Sequence, residues 1–140
     1  MELMQLIYAS DKVSDDDSEL AAILASAARN NRKNQITGML LYAGGNFMQV
    51  IEGAPATVHT TYERILHDSR HRNLLLMLEE PVAQRHFSEW SMGFKRLGAE
   101  HVKAFPQFAP YFQYGLDAHA IKAVRGCALD MLQTFSKGML

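Results

Sequence analysis

Ile36 to Ala43 and Asn46 to Glu52 are two apolar, β-capable runs with only Gly44-Gly45 between them. Two residues reverse an extended chain only in a tight turn whose central positions take positive φ, which glycine adopts at little steric cost. The segment therefore predicts an antiparallel hairpin. A hairpin is marginal alone in water, so the rest of the chain has to supply more strands and a covering layer. With 140 residues, 48% of them hydrophobic and 21% charged, there is material for one core and not for two.

Further elements follow from periodicity. Leu3 to Ser10 is a short apolar run ending in the polar segment Asp11 to Asp17, which reads as a first strand. Asp16 and Glu19 have capping-box spacing, and Leu20, Ile23, Leu24, Ala27 and Ala28 recur as on a helix reaching Asn30 or Arg32. Asn31 falls at the edge of that apolar face. After the hairpin, Gly53-Ala54-Pro55 breaks the strand, and Pro55 suits the first turn of a helix with the stripe Val58, Tyr62, Ile65 and Leu66. Thr57, Thr61, Arg64 and Asp68 flank that stripe. Leu74 to Leu78 is continuously apolar and predicts a central strand buried on both faces, closed by Pro81. The alternation of Ser88, Trp90, Met92 and Phe94 with polar or small residues predicts a last strand.

The order βαββαββ is that of a ferredoxin-like α+β fold with two helices on one face of the sheet. The expected division is a domain over 1–97 and a helical C-terminal tail over 98–140, with the stripe Ile121, Val124, Ala128, Met131, Leu132 and Phe135 following a cap at Asp117. If Tyr8 and Gln49 face the helices, Ile7, Met48 and Val50 point the other way and are too apolar to be left in water. Either the C-terminal helix or another subunit must cover them.

Several function classes drop out. A formal net charge of -1 without a basic run argues against nucleic acid or an anionic membrane as the main partner. Cys127 is the single cysteine, so there is no intrachain disulfide or multi-cysteine metal site, and a reduced cytoplasm fits. No run approaches the roughly 20 apolar residues of a membrane span. His67 and His71 have the i, i+4 spacing of a zinc helix, but HDSRH lacks the glutamate and a third ligand, and a solvated helix end is the reading. There is no G-x-S-x-G elbow and no Walker lysine.

Gln49 resists a simple explanation. It stands in the row Phe47, Gln49, Ile51, and a buried amide without partners costs about 1–3 kcal/mol. Tyr8, in the row Met4, Leu6, Tyr8, Ser10, and Asn31 converge with it on an apolar interior. Periodicity alone leaves a structural hydrogen-bond network and a ligand site equally open.

The segments LIYAS at 6–10, NNRKNQITGMLLYAGGNFMQVIEG at 30–53, YERILHDSRH at 62–71 and HFSEWSMGF at 86–94 together resemble the BLUF domain, a blue-light sensor that uses flavin. The resemblance covers about the first 97 residues and is similar to the short members whose domain is followed by a helical tail. It implies a non-covalently held flavin, FAD first and FMN or riboflavin next, slotted between the two helices. Asn31 and Asn30 match residues that bind the carbonyl and imide edge, Arg64, Asp68 and Arg70 match the ribityl and phosphate side, and His71 matches a polar position near the ring.

Tyr8 and Gln49 match the family's photochemical pair, in which excited flavin takes an electron and then a proton from the tyrosine and the glutamine rearranges. Trp90 and Met92 match the strand that responds to that glutamine. The implied protein is a cytoplasmic photoreceptor and not an enzyme, homo-oligomeric, acting on a separate downstream protein. Two other classes stand beside it: a flavin-dependent oxidoreductase on the same fold, and a flavin-free oligomerisation module.

Overall fold

Gly45 takes a φ of 88° and Ala43 pairs with Asn46 across the turn, so the expected antiparallel hairpin forms with Gly45 in the left-handed region. The computed structural model describes residues 2–12, 17–43, 45–88, 91–97, 99–104 and 128–136. Its elements are β1 (Leu3–Lys12), α1 (Asp17–Lys33), β2 (Thr37–Ala43), β3 (Asn46–Gly53), α2 (Pro55–Leu66), β4 (His71–Val82), β5 (Gly93–Arg96), α3 (Ala99–Ala104) and α4 (Ala128–Ser136). The strands form one sheet in the order β4-β1-β3-β2-β5, antiparallel except where β5 runs parallel to β2. This is the expected α+β architecture.

Alternation along β1 and β3 sorts side chains onto two faces. Leu6, Tyr8 and Ile51 pack with Val58 of α2, and Phe47 packs with Leu20 and Ile23 of α1. On the opposite face Ile7, Met48 and Val50 join Met39, Leu41, Phe87 and Leu97, and here Leu132 and Phe135 of α4 are buried. The apolar back of the sheet is thus covered by the C-terminal helix. Ile121 and Val124, expected in the same stripe, lie outside the described residues, as does Cys127.

Three expectations need correction. The run Leu74 to Leu78 belongs to β4, which is the sheet edge and not its centre, and in it only Met77 is buried. Its apolar side chains are half-covered, and Pro81 is tolerated inside the strand because an edge position does not need every N–H. The last strand is shorter than the alternation suggested, spanning Gly93–Arg96, with Ser91 and Met92 in a bend before it. Leu66 is 44% exposed, whereas Thr61 is buried, because α2 turns Val58 and Thr61 towards the sheet.

The end of α1 positions the site. Gln35 adopts a φ of 58°, the Ile36 N–H donates to the Asn31 carbonyl at 2.8 Å, and the Gln35 N–H donates to Arg32 at 3.4 Å. This pair of bonds is a Schellman motif, which fixes the last turn of the helix and with it Asn31. The Asn34 amide adds a bond to the Asn30 carbonyl at 2.9 Å.

Candidate functional site

Between α1, α2 and the sheet lies a cavity of about 400 Å³, a size in the range of small-molecule sites. Ile23, Ala27, Leu40 and Ile65 give it apolar walls, while Tyr8 and Gln49 rise from its floor on β1 and β3. Asn30 and Asn31 enter from the end of α1, Arg64 from α2, Asp68 and Arg70 from the turn after it, and His71 from the start of β4. Eight residues named from the sequence therefore meet in one cavity. Met92 does not line it but touches Gln49, and Trp90 lies outside the described residues.

Tyr8 and Gln49 are direct partners in the β1–β3 ladder, and the Tyr8 hydroxyl donates to Gln49 Oε1. Gln49 Nε2 in turn donates to the Met92 sulfur at 3.3 Å. The network orients the amide: turned over, its oxygen would face a thioether that has no hydrogen to offer. Burial, reinforced by Tyr62 and Asp68, pushes the Tyr8 phenol far above its ordinary pKa, so it stays protonated. Asn31 Nδ2 donates to the Ser91 carbonyl at 2.8 Å, tying α1 to the same segment that carries Met92.

The HDSRH segment differs from the solvated helix end expected for it. His67 is exposed, but α2 stops at Leu66 and His71 begins β4 as a buried residue. Its Nδ1 hydrogen-bonds Ser10 Oγ at 2.9 Å, and its ring meets Phe47 and the edge of Tyr8. Burial, opposed by Asp68 and assisted by Arg70, lowers its pKa to about 4, so the ring is neutral near pH 7. No cluster of metal-ligating residues occurs among the described residues.

The two arginines are not equivalent. Arg70 forks onto Asp68 at 2.6–3.2 Å and reaches Ser26 on α1 at 3.2 Å. That bond holds the Asp68 carboxyl below its usual range. Arg70 is thus spent on closing the cavity's end, whereas the Arg64 side chain is exposed with no hydrogen-bond or ion-pair partner among the described residues.

The donor set fits the flavin implied by the resemblance. A flat apolar ring would suit the aliphatic walls, three side-chain amides line the cavity and could offer a pyrimidine edge donors and acceptors, and Gln49 Nε2 rests on a thioether, a weak acceptor that a carbonyl would displace. Sequence reasoning missed Ser26, which lines the cavity, Ser10, which holds His71, and the Ser91 carbonyl; a backbone acceptor leaves no sequence signal, and the two serines are too small to disturb the periodicity.

Comparison with known proteins gives the family and the fold. The family model described as "BLUF: Sensors of blue-light using FAD" matches residues 3–93. The photoactivated adenylate cyclase subunit beta of Euglena gracilis is 37% identical over 75 residues, which are 53% of this chain and 9% of that protein. The blue light- and temperature-regulated antirepressor BluF of Escherichia coli strain K12 is 33% identical over 92 residues, 64% of this chain and 23% of that one. The matched part thus spans less than a quarter of these curated relatives. Among solved structures, "BlrB - a BLUF protein, dark state structure" superposes with a TM-score of 0.71 at 26% identity, covering 89% of this chain and 96% of that one.

Proposed function

This chain belongs to the BLUF family, the sensors of blue light using FAD, and on that footing we propose that it is a blue-light photoreceptor which holds a flavin non-covalently between α1 and α2 and alters its contact with a separate protein on illumination. The observation that supports the reading is the hydrogen-bonded chain from the Tyr8 phenol through the Gln49 amide to the Met92 sulfur. A flavin in the cavity supplies the absorption of blue light and an excited acceptor for one electron and one proton.

The protein's own residues do the rest. Tyr8 is a phenol kept protonated by burial, so it has both an electron and a proton to give. Its hydroxyl is aimed at Gln49 Oε1, and an amide that accepts a proton at Oε1 can release one from Nε2. Gln49 would then present an O–H where it had an acceptor, the hydrogen released from Nε2 going to the group in the cavity that took the electron, and the dark state would return when electron and proton are given back to Tyr8. Asn30 and Asn31 bind the polar edge of the ring, and Arg64 takes a phosphate, which favours FAD or FMN over riboflavin. His71, held by Ser10, stays neutral and adds no charge beside the phenol.

The proposed output is an effect on another polypeptide, a reading supported by the name of the Escherichia coli antirepressor to which this chain is similar. No described helix is long and apolar enough to cross a membrane, and with one cysteine in the sequence the cytoplasm is the proposed compartment. The deciding experiment is an absorption spectrum of the purified, flavin-supplied protein before and after blue light. A small, reversible red shift is expected. Protein that stays colourless, or that turns over a reduced nicotinamide instead, overturns the reading.

A further inference from the structure

Glu52 is a fully buried carboxylate on the back of the sheet, away from the cavity. It accepts the backbone N–H of His86 at 2.9 Å and of Phe87 at 2.9 Å, and Gln5 Nε2 at 2.9 Å. Gln5, its direct partner in the β1–β3 ladder, is equally buried. The same Gln5 Nε2 lies 3.0 Å from His86 Nδ1. An amide nitrogen can only donate, so in this arrangement His86 Nδ1 is the acceptor of that bond. Gln5 Oε1, by contrast, is buried with no partner among the described residues. Beside this cluster, Arg85 donates to the Glu52 carbonyl at 2.9 Å, to Thr37 Oγ1 at 2.8 Å and to the Gln35 carbonyl at 2.8 Å.

The cluster grips the start of a segment whose other end forms part of the site. A few residues after Phe87, the Ser91 carbonyl accepts from Asn31 and the Met92 sulfur accepts from Gln49. The pair Gln5/Glu52 also sits three rungs along the same ladder as Tyr8/Gln49, facing the other side.

We propose that Glu52 is a positioning residue for the light reaction, holding the backbone of His86 and Phe87, and with it the contacts of Ser91 and Met92 at the site, through a latch that requires His86 to be neutral. The proposal rests on the photosensor reading for its effect on light, although the latch itself is present without light. When His86 takes up a proton on Nδ1, that N–H opposes the Gln5 Nε2–H at hydrogen-bond distance, donor against donor. Two responses relieve the clash. Glu52 Oε2, 3.4 Å from Nδ1, pairs with the imidazolium, or the Gln5 amide turns so that its unpartnered oxygen accepts the new proton. Either way Gln5 gives up its place on Glu52, and the backbone held by that carboxylate shifts. The other charged groups nearby are the Arg85 guanidinium, bound to carbonyls, and Glu80, the exposed partner of Gln5 on β4.

The test uses the full chain, ¹⁵N-labelled, in the dark, first without and then with FAD. The amide resonances of Phe87, Ser91 and Met92 are followed between about pH 5 and about pH 8, where an imidazole changes charge. They are expected to move together in the native protein and to stop moving in His86→Asn, which keeps an acceptor that does not titrate. With FAD bound, Glu52→Gln should change the rate of return from the lit state by about fivefold, the factor that one lost hydrogen bond implies, and should flatten its pH dependence. Invariant amides in the native protein, or an unchanged titration in His86→Asn, overturn the latch; the second variant decides alone if Glu52→Gln does not fold. Amides that titrate as described in a protein with no light response support the latch and overturn the photosensor reading, so the two fail separately.

Discussion

The Tyr8 hydroxyl points at Gln49 Oε1 across one rung of the β1–β3 ladder, so the polar core of the site is set by strand register. Tyr8→Phe keeps the ring and its packing against Tyr62, but leaves a buried amide oxygen without its donor. That costs about 1–3 kcal/mol of stability. The expected outcome is a yellow, folded protein with a lowered melting temperature and no light-induced shift. Gln49→Leu should behave alike in the light, because leucine suits an apolar row but cannot relay a proton. A preserved red shift in either variant, read by difference spectroscopy, removes that residue from the relay.

Arg64 and Arg70 should separate by flavin type. Arg64→Ala removes the unpartnered cation at the cavity mouth, and the affinity for FMN and FAD should fall by about tenfold, near the lower end for a charge-assisted hydrogen bond. Riboflavin, which has no phosphate, should bind as before. Arg70→Ala breaks the tie to Asp68 and Ser26, so all three flavins should weaken together. Fluorescence titration of the flavin-free protein with each compound distinguishes the two patterns, and equal losses for riboflavin in Arg64→Ala would count against a phosphate at that position.

His71 makes stability depend on pH. Burial lowers its pKa in the folded chain from the ordinary 6.5 to about 4. Between those values the unfolded chain binds a proton that the folded chain does not. The stability contributed by the neutral ring is therefore complete above about pH 6.5 and is lost as pH falls towards about 4, a change of about 3 kcal/mol over that span. Denaturant midpoints of the flavin-free protein should fall over this range, and His71→Asn should fall less steeply. Parallel curves for the two proteins would show that His71 is not the responsible group.

The readable parts of the sequence were those where local chemistry and tertiary context agree. Gly44-Gly45 predicted the hairpin because a two-residue loop has few solutions, and Pro55 marked the start of α2 for the same kind of reason. The facing rows of β1 and β3 followed from the period of two and brought Tyr8 to Gln49. Where the chain ends a helix without glycine the sequence is silent: Gln35 takes the left-handed position after α1, and nothing in its side chain announces that. His71 was misjudged because i, i+4 spacing assumes a continuous helix, and α2 ends before it. β4 was misplaced because an apolar run does not distinguish a buried centre from an edge half-covered on both sides. Glu52 closes the row Met48, Val50, Glu52. A carboxylate at the end of an apolar row was the available hint of the cluster on the back of the sheet.

The fate of that back face is the most direct test of what α4 does. Leu132 and Phe135 are buried against a cluster that includes Ile7, Met48 and Val50, none of which is accessible in this arrangement. Truncating a buried aromatic to alanine costs about 3–5 kcal/mol where it is packed on all sides. The paired substitution Leu132→Ser and Phe135→Ser should therefore detach the helix rather than unfold the sheet, because the cavity-side clusters contain neither residue. The uncovered surface would then be a continuous apolar patch, which monomeric proteins rarely expose. Sedimentation velocity should show a changed subunit number or aggregation, while the flavin spectrum and its light response persist. The same outcome is expected on removing residues 98–140. A variant that remains monodisperse with the native subunit number would mean that α4 does not shield the sheet, and that its contact through Leu132 and Phe135 is not what keeps this face from other chains.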